Sequence, residues 1–333
     1  MNIGKISNEF LKNQIISKLT IKRKDVLLGP GIGRDCSIVD FGDELCIISS
    51  DPITGASSQM GYIGVHICCN DIVTTGAEVV GVTLTILAPP DARAVDIEQV
   101  VTDAERAALE LGIDILGGHT EVTDAVSRMV LCLTAIGKVK KEKVISFANA
   151  QPGDDIVVTK KAGMEGTAIL AHDREELLLR HFSQELIEKA KGFIKFISVM
   201  KEGRFASSFG VHGMHDATEG GVLGAIWEIS EAMGKGVEID VSKIPIAAET
   251  AAICRFFGID PLRLISSGCM VIVVPEGKKL VELLNQNGVE AVVVGKVIDG
   301  TDKWLLTEEG RIPLEAPDAD HLYKALNFSE KLP

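Results

Sequence analysis

Acidic residues at strand ends and beside glycine-rich turns are the part of this sequence equipped for chemistry. Asp35 closes the turn GPGIGRD, and Asp51 closes the apolar run LCIISSD. The turn DFGDE between them reads as a hairpin centred near Asp43, which places position 35 opposite position 51. Opposed residues of an antiparallel pair lie about 4.5–5.5 Å apart, and like charges there repel. Two carboxylates so held suit a hard cation such as magnesium, which takes oxygen ligands. Two solvated aspartates at a sheet end are the alternative. A third acid, Asp71, falls inside the helical run Gly61 to Gly76 among Ile63, Val65, Ile67, Ile72 and Val73, with Asn70 beside it and His66 one turn before Asn70. A carboxylate in such company is costly unless paired or coordinated. Capping of a neighbouring loop is its structural alternative.

Four further segments combine glycines with polar groups. GGHTEV carries Gly117, Gly118, His119, Thr120 and Glu121 after the strand IDIL, so His119 and Glu121 share a face if the strand continues. HDATEGG sets Asp216 before a helix start in which Thr218 can serve as N-cap. Its glycines, Gly220 and Gly221, leave backbone N–H groups open to an anion, which the helix dipole also favours. AGMEGT repeats that logic after another strand. GPGIG, with Gly31 and Gly33, resembles a fragment of a dinucleotide loop, but a strand follows it and not a helix, so a Rossmann reading fails. There is no G-K-[ST] of a Walker A loop and no H-E-x-x-H, and neither His-x-Glu nor HGMH has a third zinc ligand at a recognisable spacing. Acids and glycine turns together suggest a metal–polyphosphate site of a non-standard kind.

The elements that must position these residues form two halves. A short helix over residues 1–20, with Ile3, Ile6, Phe10, Leu11 and Ile15 on its apolar face, precedes GPGIGRD. Strands and helices then alternate irregularly up to the turn-rich break NAQPGD, which divides the chain into residues 1–150 and 151–333. Neither half shows strict βαβ alternation, so the fold class is α+β. The 333 residues suffice for two cores. A net charge of −13, two Trp and two Tyr argue against nucleic acid and anionic membrane surfaces as partners. Seven cysteines without a C-x-x-C pair read as buried free thiols. The N-terminus lacks a signal-peptide core and no apolar stretch reaches membrane-spanning length, so a cytoplasmic protein is expected.

In order, GPGIGRD, SSDPI, CNDIVTTGAE, GGHTEV, QPGDDIVVTK, HDATEGG and GIDPLRLISSG resemble the superfamily of aminoimidazole ribonucleotide (AIR) synthetase, thiamine-monophosphate kinase, selenophosphate synthetase and the hydrogenase maturation protein HypE. The matching pieces span roughly residues 29–275 and are most similar to the branch called AIR synthase-related. The resemblance implies a PurM-like two-domain architecture, with an N-terminal sheet domain that dimerises and a C-terminal α+β sandwich domain. It implies a homodimer that uses ATP with Mg2+ to phosphorylate an oxygen of a small metabolite. Asp35, Asp51, Asp71 and Asp216 match the acidic metal ligands, with Asp71 and Asp216 taken as catalytic and Glu121 as a substitute acid. Gly31, Gly33, Asn70, Gly117, Gly118, Thr120, Thr218, Gly220 and Gly221 match positions around the nucleotide. Three departures stand out. Arg34 replaces an acid that many relatives carry, and His119 stands where several have Asp or Glu. The chain also ends NFSEKLP, without the terminal cysteine on which the hydrogenase-maturation protein accepts a carbamoyl group. These departures admit a rival reading, a nucleotide-binding assembly or maturation partner with little turnover. Lys5 is a solvated lysine with a phosphate contact as its alternative role.

Overall fold

A computed structural model describes residues 6–54, 59–317 and 319–329. Lys5 and Ile3 lie outside the described residues. The chain forms two compact units. One comprises Ile21–Pro30 and Asp35–Val144; the other gathers the residues up to Thr20, Gly31–Arg34 and the chain from Ile145 onward. The helix expected at the start is present as α1 (Asn8–Phe10) continued by a π turn, Leu11–Ile15, and a 3-10 turn, Ile16–Lys18. Its Ile6, Phe10 and Ile15 are exposed rather than buried.

The first unit is a six-stranded sheet in the order β1-β2-β3-β6-β4-β5. Its strands are β1 (Val26–Leu28), β2 (Ser37–Asp40), β3 (Glu44–Ile53), β4 (Glu78–Ala88), β5 (Asp114–Val122) and β6 (Val130–Lys140). All pairings are antiparallel except β4 with β5, which are joined by α3 (Ala94–Leu111). Helix α2 (Met60–Thr74) packs on β3, β4 and β6 and also against α3, so every one of its residues is buried. That double cover explains why its sequence has no polar face: a helix enclosed on all sides has no solvent side to mark. It also makes the placement of Asp71 within it a tertiary matter.

The second unit holds a seven-stranded sheet in the order β13-β12-β9-β11-β7-β10-β8. The strands are β7 (Asp155–Thr159), β8 (Gly213–Asp216), β9 (Gly236–Asp240), β10 (Met270–Val274), β11 (Ala291–Ile298), β12 (Lys303–Thr307) and β13 (Gly310–Pro313). Its helices are α4 (Met164–Asp173), α5 (Glu175–Leu178), α6 (Gln184–Lys191), α7 (Met200–Phe209), α8 (Gly221–Met233), α9 (Ala248–Phe257), α10 (Gly277–Gln286) and α11 (His321–Leu326). Ile156, Val158, Val271 and Val273 share a core with Leu223, Ile226 and Ile229 of α8. The alternating residues Val157, Ile272 and Val274 are also fully buried, so both faces of the central strands are covered. This is why CMVIVVP reads as an unbroken apolar run. Among the described residues no helix is long and apolar enough to cross a membrane.

Candidate functional site

In the first unit one hydroxyl collects the acids. Ser49 Oγ lies 2.5 Å from Asp71 Oδ2, 3.3 Å from Asp51 Oδ2 and 3.1 Å from the Asp35 carbonyl oxygen. Ser49 and Asp51 are two apart on β3 and therefore project to one side of the sheet, the side on which α2 brings Asp71. Asp71 is 4% exposed and Asn70 beside it is fully buried. The backbone of Ser49 accepts a weak bond from the Cys68 thiol at 3.7 Å. Burial, followed by the nearby charge of Asp51, pushes that thiol's pKa up.

The hairpin expectation needs correction. The observed register pairs Ser37 with Ile48 and Asp40 with Leu45, which carried back sets Asp35 level with Ser50. Asp51 instead pairs with Leu133 on β6. The turn is one residue tighter than expected, and a one-residue slip moves a side chain to the other face of the sheet. Asp35 and Asp51 are thus not a cross-strand pair; Ser49 links the Asp35 backbone to the Asp51 carboxylate. The SSD spacing contained that signal, because a period of two already puts the first serine on the aspartate's side.

Glu121 takes a different place. GGHTEV is indeed strand, and His119 Nε2 lies 3.0 Å from Glu121 Oε2 on one exposed face of β5. Two strands, β6 and β4, separate β5 from β3, roughly 14 Å at the usual strand spacing. Within one chain, then, Glu121 is not brought to the ion that Asp51 and Asp71 would share. Gly117, Gly118 and Thr120 lie on the same edge strand. At Gly118, with φ 152°, a Cβ would stand 1.8 Å from the Leu84 carbonyl, which is a packing reason for glycine independent of any nucleotide.

The second unit uses its acids otherwise. Asp216 ends β8 and is 1% exposed; the preceding His215 pairs through Nε2 with Glu228 Oε2 at 3.1 Å. Gly33 lies against α8, where a Cβ would come within 2.6 Å of the Glu228 carbonyl, and Gly31 bridges to Arg34 in the same turn. The N-cap of α8 is Gly220, not Thr218 as expected. Nor are the glycine N–H groups open: Gly221 N donates to the Thr218 carbonyl, and Gly220 N donates to Asp320 Oδ2 at 2.7 Å. Asp320 also caps α11 through Leu322 N at 2.7 Å. The chain has put its own carboxylate where an external anion was expected. Burial raises Asp320 to about 6, against the lowering pull of the N–H groups of Leu322, Gly220 and Ile265.

The start of α4 is closed similarly. Gly163 N donates to Ser266 Oγ, Gly166 N donates to the Ile265 carbonyl, and Ser267 N donates to Glu165 Oε2. Glu165 is buried, and desolvation pushes its carboxyl up to about 8 although the Ser267 bond opposes the rise. AGMEGT and ISSG therefore hold one another. No local pattern could announce Asp320, which stands 100 residues from its partner Gly220.

Comparison with known proteins settles the family. Residues 33–139 match the AIR synthase related protein, N-terminal domain, and residues 151–305 match the AIR synthase related protein, C-terminal domain. The chain belongs to the AIR synthase-related family. It is 28% identical over 302 residues to a putative hydrogenase expression/formation protein of Methanocaldococcus jannaschii, covering 88% of each chain. It is 27% identical over 253 residues to the carbamoyl dehydratase HypE of Rhizobium leguminosarum bv. viciae, covering 74% of this chain and 70% of that one. A crystal structure of the hydrogenase maturation protein HypE in complex with ATP superposes with a TM-score of 0.68 at 21% identity, over 95% of this chain and 94% of that one. This AIR synthase-related protein thus has the PurM-like fold, two sheet-containing domains with helices.

Proposed function

We propose that this AIR synthase-related protein is an ATP- and Mg2+-dependent phosphoryl-transfer enzyme that activates an oxygen of a small metabolite, an amide oxygen in the first instance. The observation that carries the reading is the convergence of Asp51, Asp71 and the Asp35 backbone on the Ser49 hydroxyl. Ser49 has a single proton to give, so it serves one of these oxygens at a time, and a hard divalent cation suits such an all-oxygen set. The carboxylates of Asp51 and Asp71, with the backbone carbonyl of Asp35, would hold magnesium, which when bound neutralises phosphate charge. The chain's part is positioning: β3 and the end of α2 hold the carboxylates, and the buried wall of α2 keeps water from their far side. The carbamoyl dehydratase relative and the ATP complex of HypE support an amide-oxygen acceptor and ATP as phosphoryl donor. Asp216 is proposed as a further acid of the reaction. Gly220 and Gly221 are retained for backbone shape, since their N–H groups are engaged. A homodimer is also proposed, consistent with the single-sided pairing of β5.

One observation favours a second reading. Cys269, the last cysteine, is fully buried with its thiol donating to the Lys161 carbonyl at 2.9 Å, a poor position for receiving a transferred group. A nucleotide-binding assembly partner is therefore the alternative. ADP release measured with and without a metabolite pool separates the two: an enzyme shows metabolite-stimulated hydrolysis, and a partner shows none. ATP binding that persists unchanged in chelator would refute the magnesium part of both. Light scattering of a micromolar solution tests the dimer; a monomer would refute it.

A further inference from the structure

The end of α2 has an irregularity that bears on the proposed metal site. The N–H that would continue the helical ladder to the Asp71 carbonyl, that of Thr75, goes instead to the Ile72 carbonyl at 3.2 Å, and Gly76 N goes to Val73. This tightening turns the Asp71 carbonyl toward side-chain donors, as helix ends require. Thr74 Oγ1 donates to it at 2.6 Å from within the helix. The Cys36 thiol donates to it at 3.2 Å from a different element, 35 residues earlier in the chain. Cys36 is buried and directly follows Asp35. Its side chain therefore ties the segment carrying one proposed ligand to the main chain of another. Ser49 Oγ adds to the bracing, since it lies within hydrogen-bond distance of both the Asp35 carbonyl and the Asp71 carboxylate.

We infer that Cys36 is a positioning residue, a thiol whose S–H bond sets the separation of Asp35 and Asp71. The inference rests on the metal-site reading above. An S–H group is a weak donor, so the expected effect is moderate and falls on geometry, with no thiolate and no sulfur–metal bond involved. Burial suits a thiol better than a hydroxyl, which gives a physical reason for cysteine at this position.

The test measures the Mg2+ concentration that half-saturates ATP binding by the full chain. Cys36→Ala and Cys36→Val, which remove the donor with smaller and larger volume, should each raise it about fivefold, the scale of one lost hydrogen bond. Cys36→Ser keeps a donor and should stay within about twofold of wild type. Thermal melts without metal track packing separately, and a purely structural role would lower those melts while leaving the Mg2+ dependence alone. Adding Cys36→Ala to Asp71→Asn should change the Mg2+ dependence no further, because the thiol acts through Asp71. Unchanged half-saturation in both the Ala and Val variants, or a loss in the Ser variant equal to theirs, overturns the proposal. If Asp71→Asn alone leaves Mg2+-dependent ATP binding intact, the metal site itself fails; if Asp71→Asn weakens binding and the Cys36 variants do not, only the role of Cys36 fails.

Discussion

The acids gathered at Ser49 in the first unit and the acids Asp320 and Glu165 in the second are used in opposite ways. Around Ser49 the carboxylates of Asp51 and Asp71 converge on a single hydroxyl, an arrangement that gathers negative charge. In the second unit Asp320 is distributed over the N–H groups of Gly220 and Leu322, and Glu165 accepts from Ser267 N. Those acids accept hydrogen bonds from helix ends and a loop, and their work is structural. An acid beside a glycine-rich turn thus has two meanings in one chain, decided by whether backbone donors or other carboxylates surround it.

The largest expected effect tests the gathered acids. Asp71→Asn should weaken Mg-ATP binding about 100-fold, roughly 2.7 kcal/mol, because it removes a buried charge while keeping an acceptor for Ser49. The melting temperature without nucleotide should stay close to wild type. Calorimetric titration showing undiminished affinity would take Asp71 out of the site.

Next comes the distributed acid. Asp320→Ala leaves the N–H groups of Gly220 and Leu322, among others, without their carboxylate and should cost about 2 kcal/mol of stability in a denaturant melt. Once folded, the variant should bind Mg-ATP as wild type does. If nucleotide affinity fell as steeply as stability, the contrast between the two kinds of acid would collapse.

A pH series sharpens the same contrast. Glu165 titrates near 8 in the fold, above the 4.5 of an ordinary glutamate. Between those values the folded state holds a proton that the unfolded state has released, so stability falls as pH rises. Its contribution is complete below about 4.5 and is lost as pH passes 8, with a slope of at most about 1.4 kcal/mol per pH unit. Asp320 adds the same sign between its ordinary 3.8 and about 6. Glu165→Gln should flatten the curve between pH 6 and 8; an unaltered slope there would mean that another group carries it.

The smallest effect concerns Asp51. Asp51→Asn should leave stability without metal equal or raise it by up to about 1 kcal/mol by relieving repulsion, and should reduce the stabilisation gained from Mg-ATP. Lower stability together with an unchanged nucleotide response would place Asp51 among the structural acids instead.

Truncation from Phe328 removes no thiol, but it does remove a packed side chain. Phe328 packs against Phe256 and Phe257, and its carbonyl accepts from Arg174 Nη2 at 2.6 Å. A deletion meant to test the tail has to begin beyond it.

What the sequence by itself determined was local and periodic. Strand β3, the start of β5 and helix α2 follow from apolar runs, and Asp71 stood out because its surroundings in the helix are apolar. The order of motifs was enough to indicate the family. Only the tertiary structure decided the rest. The β2–β3 register turns on one residue of turn length, which hydrophobic pattern does not resolve, and it separated Asp35 from Asp51 as a facing pair. The sheet order placed two strands between Glu121 and Asp51. The filling of the α8 N-terminus by Asp320, and the thiol of Cys36 on the Asp71 carbonyl, join positions 100 and 35 residues apart. Such contacts depend on how whole elements dock, and docking is driven by buried area summed over many residues, so no short segment encodes it.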